Sequence, residues 1–203
     1  MQLTEQNTFN FSPSCERNKH IINEQLINVF KCSTNLLEIG SLSGQHAVYI
    51  SPNLPNLTWQ PSDLVENIAA LRQNLQLANI GNIKPAISLD VCNKAMWPNV
   101  QFDAIFTANT LHIMPWQAVI ELFENLQHSL AATATLCIYG PFKYNGEFTS
   151  HTNADFELWL KERNSLSGIR DFEAVNQLAN NLGFKLLADI AMPANNQLLI
   201  WSR

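Results

Sequence analysis

The chain has 203 residues, of which 46% are apolar and only 14% are charged, enough apolar sequence for one domain with a sizeable core. Twelve Lys and Arg against 17 Asp and Glu leave a net charge of −5 without a basic run, which argues against general binding to a nucleic-acid backbone. Residues 1–10 do not resemble a signal peptide, and apolar runs such as 134–139 are too short to cross a bilayer. We therefore expect a soluble, cytoplasmic protein with a single domain over residues 1–203.

The four cysteines are scattered along the chain without CxxC spacing. This spacing is not that of a metal site or of a disulfide framework. We expect buried thiols in a reducing compartment.

Hydrophobic periodicity and turn residues predict that helices and strands alternate through the first two thirds of the chain. Ser12 can cap the first helix, and Pro13 suits its first turn. The predicted elements, in order, are a helix over 14–31, a strand over 35–39, a helix over 45–51, a strand over 57–60, a helix over 65–78, strands over 86–89 and 102–108, a helix over 115–130 and a strand over 133–139.

The last third of the chain is predicted to contain two more helices and two more strands. Residues 142–152 are polar and aromatic around Gly146, and we interpret them as a substrate lid or a surface loop. A capping-box pattern at 152–155 precedes a helix near 155–163, and Asp171 can cap a helix that ends at Gly183. Strands over 184–190 and 197–201 are joined by a connection too short for a crossover, so they should pair antiparallel.

These elements predict an α/β fold with a Rossmann-like, doubly wound sheet. We expect seven strands, five of them parallel and two in a C-terminal antiparallel hairpin, with an N-terminal helix before the sheet. No internal repeat or linker indicates a second domain.

Polar residues follow four successive strands of the predicted sheet, at the edge where open parallel sheets bind ligands. Gly40 and Gly44 follow the first strand, and Asp63 ends the second at a distance that suits a ribose-binding carboxylate. Asp90 follows the third strand and could bind an exocyclic amine, and Asn109 follows the fourth. Each of these residues alone is more often a turn, cap or packing residue, whereas their order favours one nucleoside ligand.

Motifs for two common nucleotide ligands are absent. The first turn lacks the G-x-G-x-x-G of dinucleotide-binding folds, which leaves an NAD-linked oxidoreductase as a distant alternative. Gly44 is followed by Gln45 and His46 instead of the lysine of a triphosphate-binding loop. Glu38, Gly40 and Gly44 do resemble the acid-x-Gly-x-Gly-x-Gly motif of seven-stranded S-adenosylmethionine-dependent methyltransferases, with Leu42 in place of the middle glycine.

A closer resemblance covers nearly the whole chain. Its motifs are residues 11–13 with 16–19, 44–49, 59–63, 139–143, 168–171 and 192–196. In these segments the sequence is similar to the methyltransferase-like 26 family, which is also classified as a domain of unknown function.

The resemblance implies S-adenosylmethionine as cofactor and a set of residues that bind it. Glu38 would hold the loop amides or a cofactor amino group, and Asn109 would lie beside the sulfonium. Arg17 would suit the methionine carboxylate, although a surface ion pair with Glu16 or Glu24 is an equal alternative. The implied cofactor-binding residues are Arg17, Asn18, Glu38, Gly40, Ser41, Gly44, Asp63, Asp90, Val91 and Asn109.

Methyl transfer needs alignment of the acceptor and exclusion of water, and needs a base only if the acceptor keeps its proton. The candidate catalytic residues are His112, Tyr139 and Tyr144, with His112 placed best. The acceptor is expected to be a small molecule. The alternative is a protein that binds the cofactor without catalysis and acts as an interaction module.

Overall fold

Helices and strands alternate through residues 2–203, the part of the chain that the computed structural model describes. The helices are α1 (Pro13–Val29), α2 (Gln45–Ile50), α3 (Val65–Ala78), α4 (Trp116–Leu126), α5 (His151–Arg163) and α6 (Phe172–Asn181). The strands are β1 (Asn35–Ile39), β2 (Thr58–Asp63), β3 (Ile87–Ser88), β4 (Phe102–Ala108), β5 (Leu130–Gly140), β6 (Phe142–Tyr144), β7 (Glu147–Phe148), β8 (Arg170–Asp171), β9 (Lys185–Met192) and β10 (Asn196–Ser202).

Seven strands form the main sheet in the order β3-β2-β1-β4-β5-β10-β9. Neighbouring strands from β3 to β5 pair in parallel, and β10 runs antiparallel to both β5 and β9. The predicted fold class is confirmed, including the C-terminal antiparallel hairpin. Because the order reverses between β1 and β4, the loops after these two strands face a crevice at the carboxyl edge.

Both faces of the sheet are buried, which is why its strands are apolar runs instead of alternating ones. Side chains nevertheless alternate between two cores: Leu36 packs on the face that carries α1 and α2, and Leu37 on the face that carries α4 and α6. Phe30 and Trp59 fill the first core, and Phe123 and Trp201 fill the second.

The segment after β5 differs from the predicted lid or loop. Residues of β6 and β7 form a hairpin whose turn, Asn145 and Gly146, has positive φ at both positions, and β8 adds a third strand to this small sheet. The predicted capping box at 152–155 is wrong: α5 begins at His151, and Ser150 Oγ caps it by accepting the N–H of Asn153 at 3.2 Å. The observed cap, Ser150, therefore lies two residues before the predicted one, Thr152.

The cysteines also differ in part from the expectation. Cys137 is buried and Cys15 is half-buried, but Cys32 and Cys92 are exposed. All four are free thiols.

Candidate cofactor and acceptor site

The turn after β1 is held in a conformation that glycine favours. Gly40 and Gly44 have φ of +74° and +78°, and the N–H groups of Gly40 and Ser41 both donate to the carbonyl of Ser62 on β2. A Cβ on Gly40 would lie 2.9 Å from Oγ1 of Thr110, so this position has no room for a side chain. The turn therefore packs directly against the segment that follows β4.

Leu42, which lies between the two glycines, also has a left-handed backbone conformation, with φ of +46°. Its N–H donates to Oδ2 of Asp63 at 2.6 Å, a charge-assisted bond that stabilises the conformation. The other oxygen of Asp63 accepts the N–H of Leu64 and the side-chain amide of Asn67. Asp63 thus links the turn after β1 to the start of α3 from a buried position at the end of β2.

Glu38 lies beneath the same turn and is almost completely buried. Its Oε2 accepts hydrogen bonds from Ser41 Oγ at 2.8 Å and from Trp59 Nε1 at 2.9 Å. Burial raises the pKa of this carboxyl, although nearby His46 and the two hydrogen bonds oppose the shift. His46 and Trp59 lie in two of the segments that resemble the family, 44–49 and 59–63, but neither was predicted as a member of the site.

Three hydrogen bonds join the N-terminal helix α1 to the start of α2, two of them from Gln45 and one from His46. Gln45 accepts the N–H of Ser12 at 2.7 Å and donates to Glu16 at 3.0 Å. His46 Nε2 lies 2.8 Å from Oδ1 of Asn18, which can only accept, so Nε2 carries the proton. Asn18 is buried beside the start of α2, and its role in cofactor binding stays a prediction.

Arg17 is exposed on α1 and donates to Ser14 Oγ at 3.2 Å. Between residues 2 and 203 it forms no ion pair with Glu16 or Glu24, because Glu16 pairs with Lys19 instead. Its guanidinium is therefore free to bind an anionic group.

Asp90 and Val91 follow β3. Asp90 Oδ1 accepts the N–H of Cys92, and the carbonyl of Val91 accepts from Trp97 and Asn125. Val91 itself is buried, yet its own N–H has no hydrogen-bond partner within the described residues. This N–H is a donor that a ligand at this edge of the sheet could use.

Asn109 and Tyr139 lie side by side at the ends of β4 and β5. Asn109 has φ of +57°, a region that Asn tolerates better than most residues, and its N–H donates to the carbonyl of Tyr139 at 2.8 Å. Burial raises the pKa of Tyr139, and a hydrogen bond with Asn18 and the charge of Arg17 oppose this shift. Tyr139 therefore faces α1 and remains a neutral phenol at physiological pH.

His112 lies three residues beyond Asn109 and is 5% exposed. Its ring packs edge-to-face on Phe156, and a Cβ on Gly140 would lie 3.6 Å from its Nδ1. Burial, with a smaller effect of the Arg170 charge, lowers its pKa to about 4. No hydrogen bond to either ring nitrogen is found among residues 2–203, and neither nitrogen is both fully buried and unpaired, so the acceptor of the neutral imidazole can be reached by a small molecule.

Arg170 holds the segment that carries His112. Its guanidinium donates to the carbonyls of Leu111, Met114 and Leu166, and so ties the loop after β4 to the loop before β8. Arg170 lies in the segment 168–171 that resembles the family, but no function was predicted for it from the sequence.

Tyr144 is placed differently from the other two catalytic candidates. Its hydroxyl donates to Asp189 Oδ2 on β9 at 2.7 Å, and its ring stacks on Phe172. Burial and the Asp189 carboxylate raise its pKa further above the ordinary value. The hydroxyl is thus already paired and stays protonated.

A family model described as "Protein of unknown function (DUF938)" matches residues 9–203. The chain belongs to the DUF938 family. None of the helices in the described part of this family member is long and apolar enough to cross a membrane.

Solved structures resemble this DUF938 chain over almost its whole length. An O-methyltransferase family protein from Burkholderia thailandensis superposes with a TM-score of 0.82 at 15% identity, covering 94% of this chain and 56% of that one. Human N-acetylserotonin methyltransferase in complex with S-adenosylmethionine gives 0.75 at 13% identity, with coverage of 94% and 52%. The protein PigF with S-adenosylhomocysteine gives 0.76 at 16% identity, with coverage of 90% and 55%.

These comparisons show that the chain has the fold of S-adenosylmethionine-dependent methyltransferases. The chain spans about half the length of the solved structures it matches.

Proposed function

We propose that this protein is an S-adenosylmethionine-dependent methyltransferase that acts on a small-molecule acceptor. We further propose that it belongs with the methyltransferase-like 26 proteins, on the sequence motifs described above. One observation carries the proposal most directly. Val91 and His112, at the carboxyl edge of one sheet on either side of a glycine turn, each carry a polar group for which no hydrogen bond is found within the described chain and which a ligand could bind.

The donors and acceptors at this edge fit the proposed cofactor. The unpaired N–H of Val91 and the carboxylate of Asp90 would hold adenine, and Asp63 would accept from the ribose hydroxyls with its remaining lone pairs. The turn residues Glu38, Gly40, Ser41 and Gly44 would surround the methionine portion. Its carboxylate would pair with Arg17 beside Asn18, and Asn109 would lie near the sulfur.

The residues near His112 would prepare the acceptor. When bound, S-adenosylmethionine supplies a methyl group that is already activated by its positively charged sulfur. His112 is neutral at physiological pH, because its pKa is about 4, and its free nitrogen can accept the proton that a hydroxyl acceptor loses. Negative charge that develops on the acceptor would increase the proton affinity of His112 at that moment. Tyr139 would position ligands through α1, whereas Tyr144 is tied to Asp189 and is proposed to have a structural role.

Calorimetric titration tests cofactor identity. Wild-type protein is titrated with S-adenosylmethionine, S-adenosylhomocysteine, NAD and ATP, and we expect heat only with the first two. Asp63→Asn should weaken S-adenosylhomocysteine binding by at least about tenfold, because the charge that holds Leu42 and the ribose is lost. Heat of binding with NAD alone would contradict the proposal that S-adenosylmethionine is the cofactor.

Asp103→Asn is the matched control for Asp63→Asn. Asp103 also accepts backbone N–H groups, from Thr34 and Asn35, but at the opposite end of β1. Its loss should lower stability without changing cofactor affinity. Equal losses of affinity in both variants would show that Asp63 acts only through the stability of the fold.

Catalysis is tested separately with radiolabelled S-adenosylmethionine and extracts of small metabolites. Incorporation of label that His112→Gln reduces by about a hundredfold or more supports the enzyme. Cofactor binding without incorporation into any extract would favour the alternative, a protein that binds the cofactor without catalysis.

A further inference from the structure

Two aromatic rings of α5 extend outward from His112. The His112 and Phe156 rings meet edge-to-face with centroids 5.3 Å apart, and Phe156 stacks on Trp159 with centroids 5.5 Å apart and planes 22° apart. Phe156 and Trp159 stand three positions apart on α5, so they share one side of the helix. We call this pair the aromatic wall. Trp159 is 44% exposed, whereas His112 at the inner end is buried.

Two exposed aliphatic side chains lie on the loops next to His112. Ile113 is 58% exposed and Leu166 is 62% exposed. Their loops are bonded to each other, since Ser167 Oγ donates to the carbonyl of Ile113 at 2.7 Å and Gly168 N–H donates to that of His112 at 2.9 Å. Single exposed apolar residues are ordinary, but a group of them beside an unpaired imidazole indicates a binding surface.

The charges that contact this region are positive. The guanidinium of Arg163 lies 3.8 Å from the centre of the Trp159 ring, and it has no ion pair in the part of the chain that the structure covers. Arg170 adds positive charge near His112. The buried carboxylate of α5, Glu157, is already paired with Lys161 and with the N–H of Ile169. The two arginines therefore disfavour a cationic acceptor here, although Asp155 and Glu162 are exposed carboxylates elsewhere on α5.

We propose that the methyl acceptor is a planar aromatic compound with a neutral hydroxyl group, bound along the aromatic wall with its hydroxyl at His112. This inference rests on the proposed function and adds the substrate class. Rings of the acceptor would pack against Phe156, Trp159 and the two aliphatic side chains, and the cation of Arg163 would favour an electron-rich ring. The guanidinium groups of Arg163, which lies over the Trp159 ring, and of Arg170, which holds the segment of His112, favour a neutral hydroxyl over an ammonium group.

The probe is 2-naphthol, titrated into protein with 15N-labelled histidine side chains and followed by NMR. The His112 signal is assigned by its loss in His112→Phe. We expect 2-naphthol to shift this signal and to bind at least about fivefold more tightly than decahydro-2-naphthol, which has the same skeleton without aromatic rings. The cationic analogue 2-naphthylmethylamine should bind more weakly than 2-naphthol by a similar factor.

Substitutions on α5 locate the probe. Trp159→Leu should lower 2-naphthol affinity about fivefold, because the aromatic contact is lost and the apolar character is retained. Leu158→Ala is the control, since Leu158 is the neighbouring exposed apolar residue on α5. It should leave 2-naphthol affinity unchanged, and both variants should bind S-adenosylhomocysteine as wild type does.

Equal binding of 2-naphthol and its saturated analogue would overturn the inference, and so would an unshifted His112 signal or equal effects of the two substitutions. The titrations are made with and without S-adenosylhomocysteine. If S-adenosylhomocysteine does not bind but 2-naphthol binds as described, the cofactor proposal fails and the aromatic site stands. If S-adenosylhomocysteine binds and 2-naphthol does not shift His112, the acceptor class alone is wrong.

Discussion

At the scale of single residues, His112 is a largely buried histidine whose ring nitrogens form no hydrogen bond within the described residues. Its burial favours the neutral ring and lowers its pKa to about 4. The two ring nitrogens are nevertheless not fully buried. The unpaired ring therefore lowers stability in acid and leaves an acceptor free for a substrate.

The stability cost of His112 can be measured as a function of pH. Its pKa is lower in the folded protein than its ordinary value of 6.5, so the unfolded chain binds a proton first as pH falls. Wild-type protein should lose about 2 kcal/mol of unfolding free energy through this group between pH 7 and about pH 4.5. His112→Phe should lose correspondingly less over the same range, measured by urea unfolding at both pH values.

His46 provides the internal control. Burial also lowers its pKa, so it contributes acid sensitivity to both proteins and cancels in the comparison. A pH dependence that is the same in wild type and His112→Phe would mean that His112 is not buried as a neutral ring.

The positions of polar residues at the strand ends were predictable because the parallel fold fixes where those ends lie. Asp63, Asp90 and Asn109 needed only strand boundaries, which apolar runs define well. Leu42 could not be interpreted in this way, because its left-handed conformation depends on a hydrogen bond to Asp63 twenty-one positions later. Trp59 and His46 were missed for the same reason: pairing to a buried carboxylate leaves no local pattern in the sequence.

At the scale of elements, the strands of the main sheet and the six helices were predicted to within about four residues of their ends, whereas the small sheet was not predicted. α3 and β4 have the predicted bounds, because each repeats its apolar pattern over seven or more residues. The small sheet of β6, β7 and β8 has too few residues for a period, and β8 joins it from a distant part of the chain. Its stability comes from tertiary contacts that single-sequence patterns do not contain.

The loop before β8 depends on a close contact with α5. A Cβ on Gly168 would lie 3.0 and 3.1 Å from the two carboxylate oxygens of Glu157, which is itself held by Lys161 and by the N–H of Ile169. Gly168→Ala should therefore lower the unfolding free energy by about 1 to 2 kcal/mol. Denaturant unfolding provides the measurement.

Gly81→Ala is the matched control for this overpacking. A Cβ on Gly81 would meet no atom within 4 Å, and its φ is not in the left-handed region. This substitution should be neutral or stabilise the protein by about 0.5 kcal/mol through the unfolded chain. If the two alanine variants have the same stability, Glu157 moves freely and does not position the loop that carries Leu166.

At the scale of the whole molecule, one sheet separates two cores and joins the two halves of the proposed site. The residues proposed to bind the cofactor follow β1, β2 and β3, and the proposed acceptor residues follow β4 and lie on α5, so their relative positions depend on the pairing of these strands. Any loss of register between β1 and β4 would separate Gly40 from Thr110 and open the crevice. The geometry of the proposed site should therefore be lost in the same unfolding transition as the main sheet.

This dependence predicts a single unfolding transition for the chain, as expected of one domain. Phe123→Leu perturbs the core under α4 and α6, and Phe30→Leu perturbs the core under α1 and α2; both rings are fully buried. Each substitution should lower stability by about 1 to 2 kcal/mol and shift the same transition. Far-ultraviolet circular dichroism and tryptophan fluorescence, to which Trp59 in one core and Trp201 in the other contribute, should give coincident curves. Two transitions, with only one of them shifted by Phe30→Leu, would show that α1 and α2 unfold independently and that the sheet does not couple the two cores.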